Sequence, residues 1–372
     1  MQHILHETMA SQPTGLSAYI KQSPPLDFSV AYEDGWVKNR TIVITGGASG
    51  FGAGFARRWA RSGATVILGD VNVEKGDALA RAIRKETGRD SAAHFVHCDV
   101  TEWQSQVNLF KEAVRLSPHG GIDTVVANAG IQAKDKLQEP SDLSAANPPP
   151  PSFATMDVNV TGVLYTTHLA CYWLPKNPGS KACSMHHDPE KQVRDRHLVL
   201  LGSIASEAPI AAAPLYGTSK HAVLGLFRCL RATSHLQGIR TNIILPYFID
   251  TTIVPAVAKL LLAGGGMGKV EDVVEAATRL VADSRILGRG IVVGPKVHIK
   301  EDDTGEWKWV SKDTVGSRET ALWEAYADDW EEVDAFDRRV VKMLSAVEQA
   351  RGWAGWAMDV VRVLTSKVFG HA

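Results

Sequence analysis

A chain of 372 residues can hold two or three domains of ordinary size, or one large α/β domain with extensions. Its 40 Lys+Arg against 41 Asp+Glu leave a net charge of −1, which argues against a general nucleic-acid binder, because affinity for the phosphate backbone needs a basic surface. An apolar fraction of 45% excludes intrinsic disorder and collagen-like structure, and no run approaches the roughly 18 apolar residues of a spanning helix.

The N-terminal MQHILHETMASQPTG has no apolar signal core. Four cysteines (Cys98, Cys171, Cys183, Cys229) in so long a chain make no disulfide framework, so reduced thiols and a cytoplasmic location are expected. Residues 1–38 lack sustained periodicity, contain Pro13, Pro24 and Pro25, and read as an N-terminal arm. At Thr41-Ile42-Val43-Ile44 a β-branched run predicts a buried strand, which ends in Thr45-Gly46-Gly47-Ala48-Ser49-Gly50-Phe51-Gly52. A helix over 53–61 and a strand over 65–68 follow. Next come a helix over 74–86, a strand at 94–96, a helix over 103–115 and a strand at 123–127. The second half predicts helices over 158–174 and 216–236, with strands at 197–201, 241–245 and 290–293. Strands alternating with helices of this length mean βαβ units with right-handed crossovers. The fold class is therefore α/β: a doubly wound parallel sheet, or Rossmann fold, over 39–300. Two polar insertions, 132–151 and 176–196, interrupt it. Beyond residue 300 the strands are expected to stop, leaving a helical C-terminal extension over 301–372.

Gly46, Gly50 and Gly52 lie between a strand and a helix. A dinucleotide site needs glycines there for a tight turn, for close approach to the pyrophosphate and for helix–strand packing, while the helix N-terminus offers N–H groups to the phosphates. Asp70 closes the second strand, where a carboxylate accepts hydrogen bonds from ribose hydroxyls and repels a 2′-phosphate. Neither Ser49 nor Val71 and Asn72 supplies a base for that phosphate, so the cofactor reads as NAD.

Tyr216 and Lys220 share one helix face at i, i+4. A phenol is a poor base at neutral pH, and an ammonium one turn away favours its phenolate. Ser203 ends a strand, where its hydroxyl can hold a substrate oxygen. These residues, with the glycine motif, Asp99-Val100, Asn128-Ala129-Gly130 and Asn159 in Met156-Asp-Val-Asn-Val-Thr-Gly162, make the chain resemble the classical short-chain dehydrogenases/reductases over most of its length. Pro246-Tyr-Phe-Ile-Asp-Thr251 and Asp70 look most like the branch around 15-hydroxyprostaglandin dehydrogenase and its fungal relatives. The resemblance implies Tyr216 as general acid/base, Lys220 lowering its pKa and binding the nicotinamide ribose, Ser203 orienting the carbonyl or hydroxyl, and Asn159 holding a proton-relay water. It implies Gly46, Ser49, Gly50, Phe51 and Gly52 as the phosphate cradle and Asp99 and Val100 beside the adenine. Asn128, Ala129 and Gly130 would support the cofactor, and Thr251 would lie near the nicotinamide amide or the phosphates. It also implies a small-molecule substrate and a homo-oligomer, dimer or tetramer, paired through the helices carrying Asn159 and Tyr216.

Tyr247 stands where the family usually has glycine, and either lines the substrate wall or points outward. Gly264-Gly265-Gly266 reads as a lid hinge or a passive turn. Cys183, His186, His187 and Asp188 fit no closed zinc spacing, and no metal is expected. Trp323, Tyr326, Trp330, Val333, Val340, Leu344 and Val347 form an apolar stripe on a predicted helix, and Trp353 to Phe369 a shorter one. These pack on the domain or a partner subunit, or close over the active site; a membrane-surface helix would need a more basic polar face. The expected activity is hydride transfer between NAD and a secondary alcohol or ketone, on a fairly large apolar molecule. The alternatives are a non-redox isomerase, dehydratase or cyclase retaining the nucleotide, and a binding scaffold without turnover.

Overall fold

The β-branched run Thr41–Thr45 forms strand β1, and the twofold alternation of a strand sends its side chains to opposite faces. Ile42 and Ile44 enter one apolar cluster and Val43 the other. Burial on both faces is why this and the other central strands read as continuous apolar runs. The structure, a computed structural model, describes residues 22–135, 149–191, 193–211, 213–250, 266–302 and 307–325, with scattered positions over 137–147 and 339–358.

Strands β2 (Thr65–Asp70), β3 (Ala93–His97), β4 (Thr124–Ala127), β5 (His197–Leu201), β6 (Arg240–Pro246) and β7 (Gly290–Glu301) extend the sheet in the order β3-β2-β1-β4-β5-β6-β7, all parallel. The helices are α1 (Gly50–Arg61), α2 (Val73–Thr87), α3 (Trp103–Leu116), α4 (Ala154–Met156, then a π-helical stretch Asp157–Gly162 and Val163–Trp173), α5 (Pro214–Thr233) and α6 (Val270–Ala282). Phe55 and Trp59 of α1, Ile83 of α2 and Leu280 of α6 cover the Ile42 face; Phe110 of α3, Leu169 of α4 and Phe227 of α5 cover the Val43 face. Strand order reverses between β1 and β4, and a doubly wound sheet binds its ligand at the carboxyl ends beside such a switch point.

The expectation that strands stop at residue 300 is corrected. β7 runs on to Glu301, and β8 (Trp307–Trp309) and β9 (Arg318–Ala325) pair with it antiparallel. The β7–β9 register shifts between Val293 and Val297, around Pro295, which has no N–H to give the ladder. Trp323, expected on a helix, lies on β9 with its ring over Gly294, where a Cβ would come within 2.9 Å of it. Of the remaining stripe, Val340 and Val347 are helical, while Tyr326, Trp330, Val333 and Leu344 lie outside the described residues. The second half of the N-terminal arm is fastened to this addition. The Ser23 N–H donates to Leu287 O (3.0 Å) and the Leu26 N–H to Glu324 Oε2 (2.8 Å), and Glu324 pairs with buried Arg289 at 2.9 Å.

Helix α6 was not among the predicted elements, although Val273, Ala276, Ala277 and Leu280 follow a helical stripe. At the amino ends of the strands, the second insertion supplies Asp195, buried between Arg40 of β1's approach and Arg240 of β6.

Candidate active site

After β1 the chain turns through Gly46 and enters α1 at Gly50, both at positive φ. Asn128, just past β4, donates its side-chain amide to Thr45 O (2.9 Å) and Gly46 O (3.0 Å), which pins this turn to the neighbouring strand. Asp70 pins it from the other side: Oδ2 accepts the Ala48 N–H (3.0 Å) and Oδ1 the Asn72 N–H (3.0 Å). Ser49 occupies the α1 N-cap without a side-chain cap bond, so the first-turn N–H groups and the positive end of the helix dipole are available to an anion. A Cβ on Gly50 would meet nothing within 4 Å, whereas one on Gly52 would lie 2.3 Å from Gly46 O and 2.9 Å from Asn128 Nδ2. Gly50 thus keeps the cradle open and Gly52 lets the helix pack on the turn. Gly52→Ala should therefore displace the cradle and weaken dinucleotide binding about tenfold or more, the equivalent of roughly 1.4 kcal/mol; a titration giving a wild-type dissociation constant would contradict this role.

The cradle opens on a cavity of about 330 Å³, within the range of small-molecule sites. Of the sequence-predicted residues, Gly46, Ser49, Gly50, Phe51, Asp70, Asp99, Val100, Asn128, Ala129, Gly130, Ser203, Tyr216 and Lys220 all line it. Gly52 and Asn159 buttress it from behind, and Thr251, Gly264 and Gly265 lie outside the described residues. Tyr247 lines the cavity, its N–H donating to Val293 O at 2.7 Å and its ring set edge-on to Phe248, centroids 4.9 Å apart. Cys98, Ile131, Val158 and Ile249 are among the further lining residues that the sequence did not single out as site residues. Burial pushes the Cys98 thiol up to about 12, so it is an inert apolar neighbour.

At the other end of the cavity Ser203 follows β5 and Tyr216 lies in the first turn of α5, and both line the cavity. The Ser203 hydroxyl donates to Pro246 O (3.4 Å) and accepts the Ala205 N–H (3.1 Å). Lys220 is buried, and its Nζ donates to Leu201 O (3.0 Å). A Cβ on Gly130 would lie 3.4 Å from Asn159 Oδ1 and 3.6 Å from Lys220 Nζ, so these two groups converge on that glycine. Asn159, in the π-helical stretch, pairs reciprocally with Ile131: its Nδ2 donates to Ile131 O (2.9 Å) and its Oδ1 accepts the Ile131 N–H (2.8 Å). Irregular helical turns of this kind recur at functional sites.

Two serines missed by sequence reasoning tie the group together. Ser219 accepts from Asn159 Nδ2 (3.0 Å) and donates to Tyr216 O (2.7 Å). Ser206 accepts the Ser203 N–H (3.2 Å) and donates to Lys220 O (2.8 Å). Their nearness to Ser203 and Lys220 in the chain was the available signal. Burial holds the Tyr216 phenol above its ordinary value while Ser203 draws it down, and burial pushes the Lys220 ammonium down to about 8. The ammonium is turned toward Leu201 O.

The family model for short chain dehydrogenases matches residues 40–260, more than half of the chain. The protein belongs to the short-chain dehydrogenase family. A 5′-hydroxyaverantin dehydrogenase of Dothistroma septosporum is 32% identical over 287 residues, covering 73% of this chain and 90% of that one. An NADP-dependent dehydrogenase of Cochliobolus lunatus is 30% identical, covering 73% and 94%. The NAD(+)-type 15-hydroxyprostaglandin dehydrogenase of Mus musculus is 27% identical, covering 60% and 72%. A short-chain dehydrogenase/reductase crystal structure from Mycobacterium marinum superposes with a TM-score of 0.58 over 69% of this chain and 95% of that one, at 23% identity, and so matches the fold. This short-chain dehydrogenase is accordingly an oxidoreductase that takes a nicotinamide cofactor and a small-molecule substrate. Among the described residues there is no cluster of potential metal ligands, and no helix is long and apolar enough to cross a membrane.

Proposed function

We propose that the enzyme oxidises a secondary alcohol on a fairly large, apolar small molecule and passes the hydride to NAD+. The observation that carries this reading is the convergence of Ser203, Tyr216 and buried Lys220 on the same cavity as Asp70 and the glycine cradle. Bound there, the nicotinamide supplies the hydride acceptor, and the chain's own work is positioning and proton transfer. Ser203 holds the alcohol oxygen by turning its hydroxyl from Pro246 O. Tyr216 takes the alcohol proton, and Lys220 binds the nicotinamide ribose and steadies the phenolate. Asn159 fixes the floor at Ile131 and holds the water of the proton relay. Gly46, Ser49, Gly50, Phe51 and Gly52 take the phosphates, Asp99 and Val100 flank the adenine, and Asn128, Ala129 and Gly130 support the cofactor.

Hydroxyaverantin and hydroxyprostaglandin dehydrogenases both take their names from hydroxyl compounds, which favours the oxidative direction and gives no support to a non-redox reaction. The relatives divide between NAD and NADP by name, so the choice rests on the residues of this chain. Asp70 would accept from the ribose hydroxyls and repel a 2′-phosphate, and among the described lining residues Lys220 is the only cation. Exposed Leu164 and Tyr172 on α4 suit a homo-oligomer paired through that helix. The test is to incubate the protein with NAD+ or NADP+ and a panel of aryl and long-chain secondary alcohols. NADH formation is expected, with NADH binding at least about tenfold tighter than NADPH, a difference of roughly 1.4 kcal/mol; tighter NADPH binding would overturn the cofactor assignment.

A further inference from the structure

The helix that carries Tyr216 starts without a cap of its own. Ala213 at the N-cap makes no side-chain hydrogen bond, and Pro214 has no N–H. The Leu215 N–H instead donates to Asp135 Oδ2 at 2.6 Å, a contact across 80 positions of sequence. Asp135 belongs to the first insertion, whose entry is fastened along its length. Ile131 exchanges two hydrogen bonds with Asn159, the Ala133 N–H donates to Thr155 Oγ1 (3.2 Å) at the start of α4, and Asp135 Oδ1 accepts the Leu137 N–H (3.0 Å). Residues 131–135 therefore form a strap from the cavity wall to the first turn of α5, ending in a carboxylate at the positive pole of that helix.

We propose that Asp135 is a positioning residue for Tyr216, fixing the first turn of α5 so that the phenol meets Ser203; this rests on the reading of Tyr216 as the general base. Lys220 lies one turn further on and has separate anchors, Leu201 O for its ammonium and Ser206 for its carbonyl. Loss of the Asp135 carboxylate frays the turn bearing Tyr216 and leaves Lys220 and the nucleotide cradle in place. A misplacement of about an ångström at a reacting group lowers a rate by about a hundredfold. Removal of the cap should thus act on kcat and spare nucleotide binding.

The experiment compares full-length wild type, Asp135→Ala and Asp135→Asn with NAD+ and 1-phenylethanol or a bulkier aryl secondary alcohol that the wild type oxidises. NADH binding by fluorescence serves as the control for an intact fold. Asp135→Ala should lose about ten- to a hundredfold in kcat with unchanged NADH affinity, and Asp135→Asn, whose amide oxygen can accept the same N–H, should recover most of it. A wild-type kcat in Asp135→Ala, a parallel loss of kcat and NADH binding, or an Asn variant as slow as the Ala variant would each overturn the assignment. Turnover surviving in Tyr216→Phe would instead sink the underlying reading, whatever Asp135 does.

Discussion

Tyr216→Phe is expected to lower kcat for alcohol oxidation by about 10²–10⁴-fold, the usual contribution of a positioned acid/base group, while NADH affinity and the urea midpoint stay at wild-type values. The substitution deletes one oxygen and leaves the ring of a cavity-lining residue in place. The pH dependence has a definite sign. Oxidation needs the phenolate, and burial holds the Tyr216 phenol above its ordinary value, so the fraction of active base grows as pH rises through the neutral and alkaline range. Oxidation should accelerate with pH in that range, whereas reduction of the corresponding ketone, which needs the phenol, should slow. Lys220, with its ammonium pushed down to about 8 by burial, gives up its charge within the same range. Initial rates in both directions across pH, for wild type and Tyr216→Phe, would decide the matter. A residual rate in the variant that keeps the wild-type pH profile would remove Tyr216 from the proton path.

What could be read beforehand follows from how local each signal is. Strands such as Thr41–Thr45 and His197–Leu201 are buried on both faces, so their apolar runs stand out in the chain. The glycine turn and the Tyr216–Lys220 pair are likewise short-range patterns. Helix α6 was equally legible, since Val273, Ala276, Ala277 and Leu280 fall at helical spacing on one buried face. Strand β9 escaped because Glu319, Thr320 and Glu324 break its alternation; a strand of mixed polarity is stabilised by its neighbour, here β7, and by the Arg289–Glu324 pair. In the site, Asp135 and Ser206 act on partners remote in the chain or on backbone groups, and neither kind of contact leaves a periodic trace. The same holds for the charges gathered beneath the sheet, which read as ordinary loop charges until the fold brings them together.

Those charges carry the second large effect: Asp195→Ala should destabilise the protein by about 3–5 kcal/mol, the range for removing one partner of a buried ion pair. Asp195 is almost fully buried and bridges two buried guanidiniums, Arg240 at 2.7 Å and Arg40 at 3.0 Å. The arginines in turn donate to the end of α6 and the segment after it: Arg240 to Leu280 O (2.8 Å) and Ile286 O (3.0 Å), Arg40 to Val281 O (2.6 Å). One carboxylate thus bridges the two cations of the cluster that joins β1, β6 and α6, and its removal leaves both buried without it. Burial alone would raise the Asp195 carboxyl, but Arg240 and Arg40 outweigh it and hold the group well below the usual carboxylate range. A folded-state value below the unfolded one, about 3.9 for a free Asp, stabilises the protein above that pH. The contribution is lost as pH falls below it toward the folded value. Wild type should therefore lose stability more steeply than Asp195→Asn as the pH is lowered through 4, although the variant starts lower at neutral pH. Urea unfolding of the two proteins over that range measures both effects. Should the single variants not fold, Asp195→Leu combined with Arg40→Met and Arg240→Met, which removes all three charges, is expected to recover much of the stability. Equal acid slopes in wild type and Asp195→Asn would show that the cluster is held by packing and not by charge.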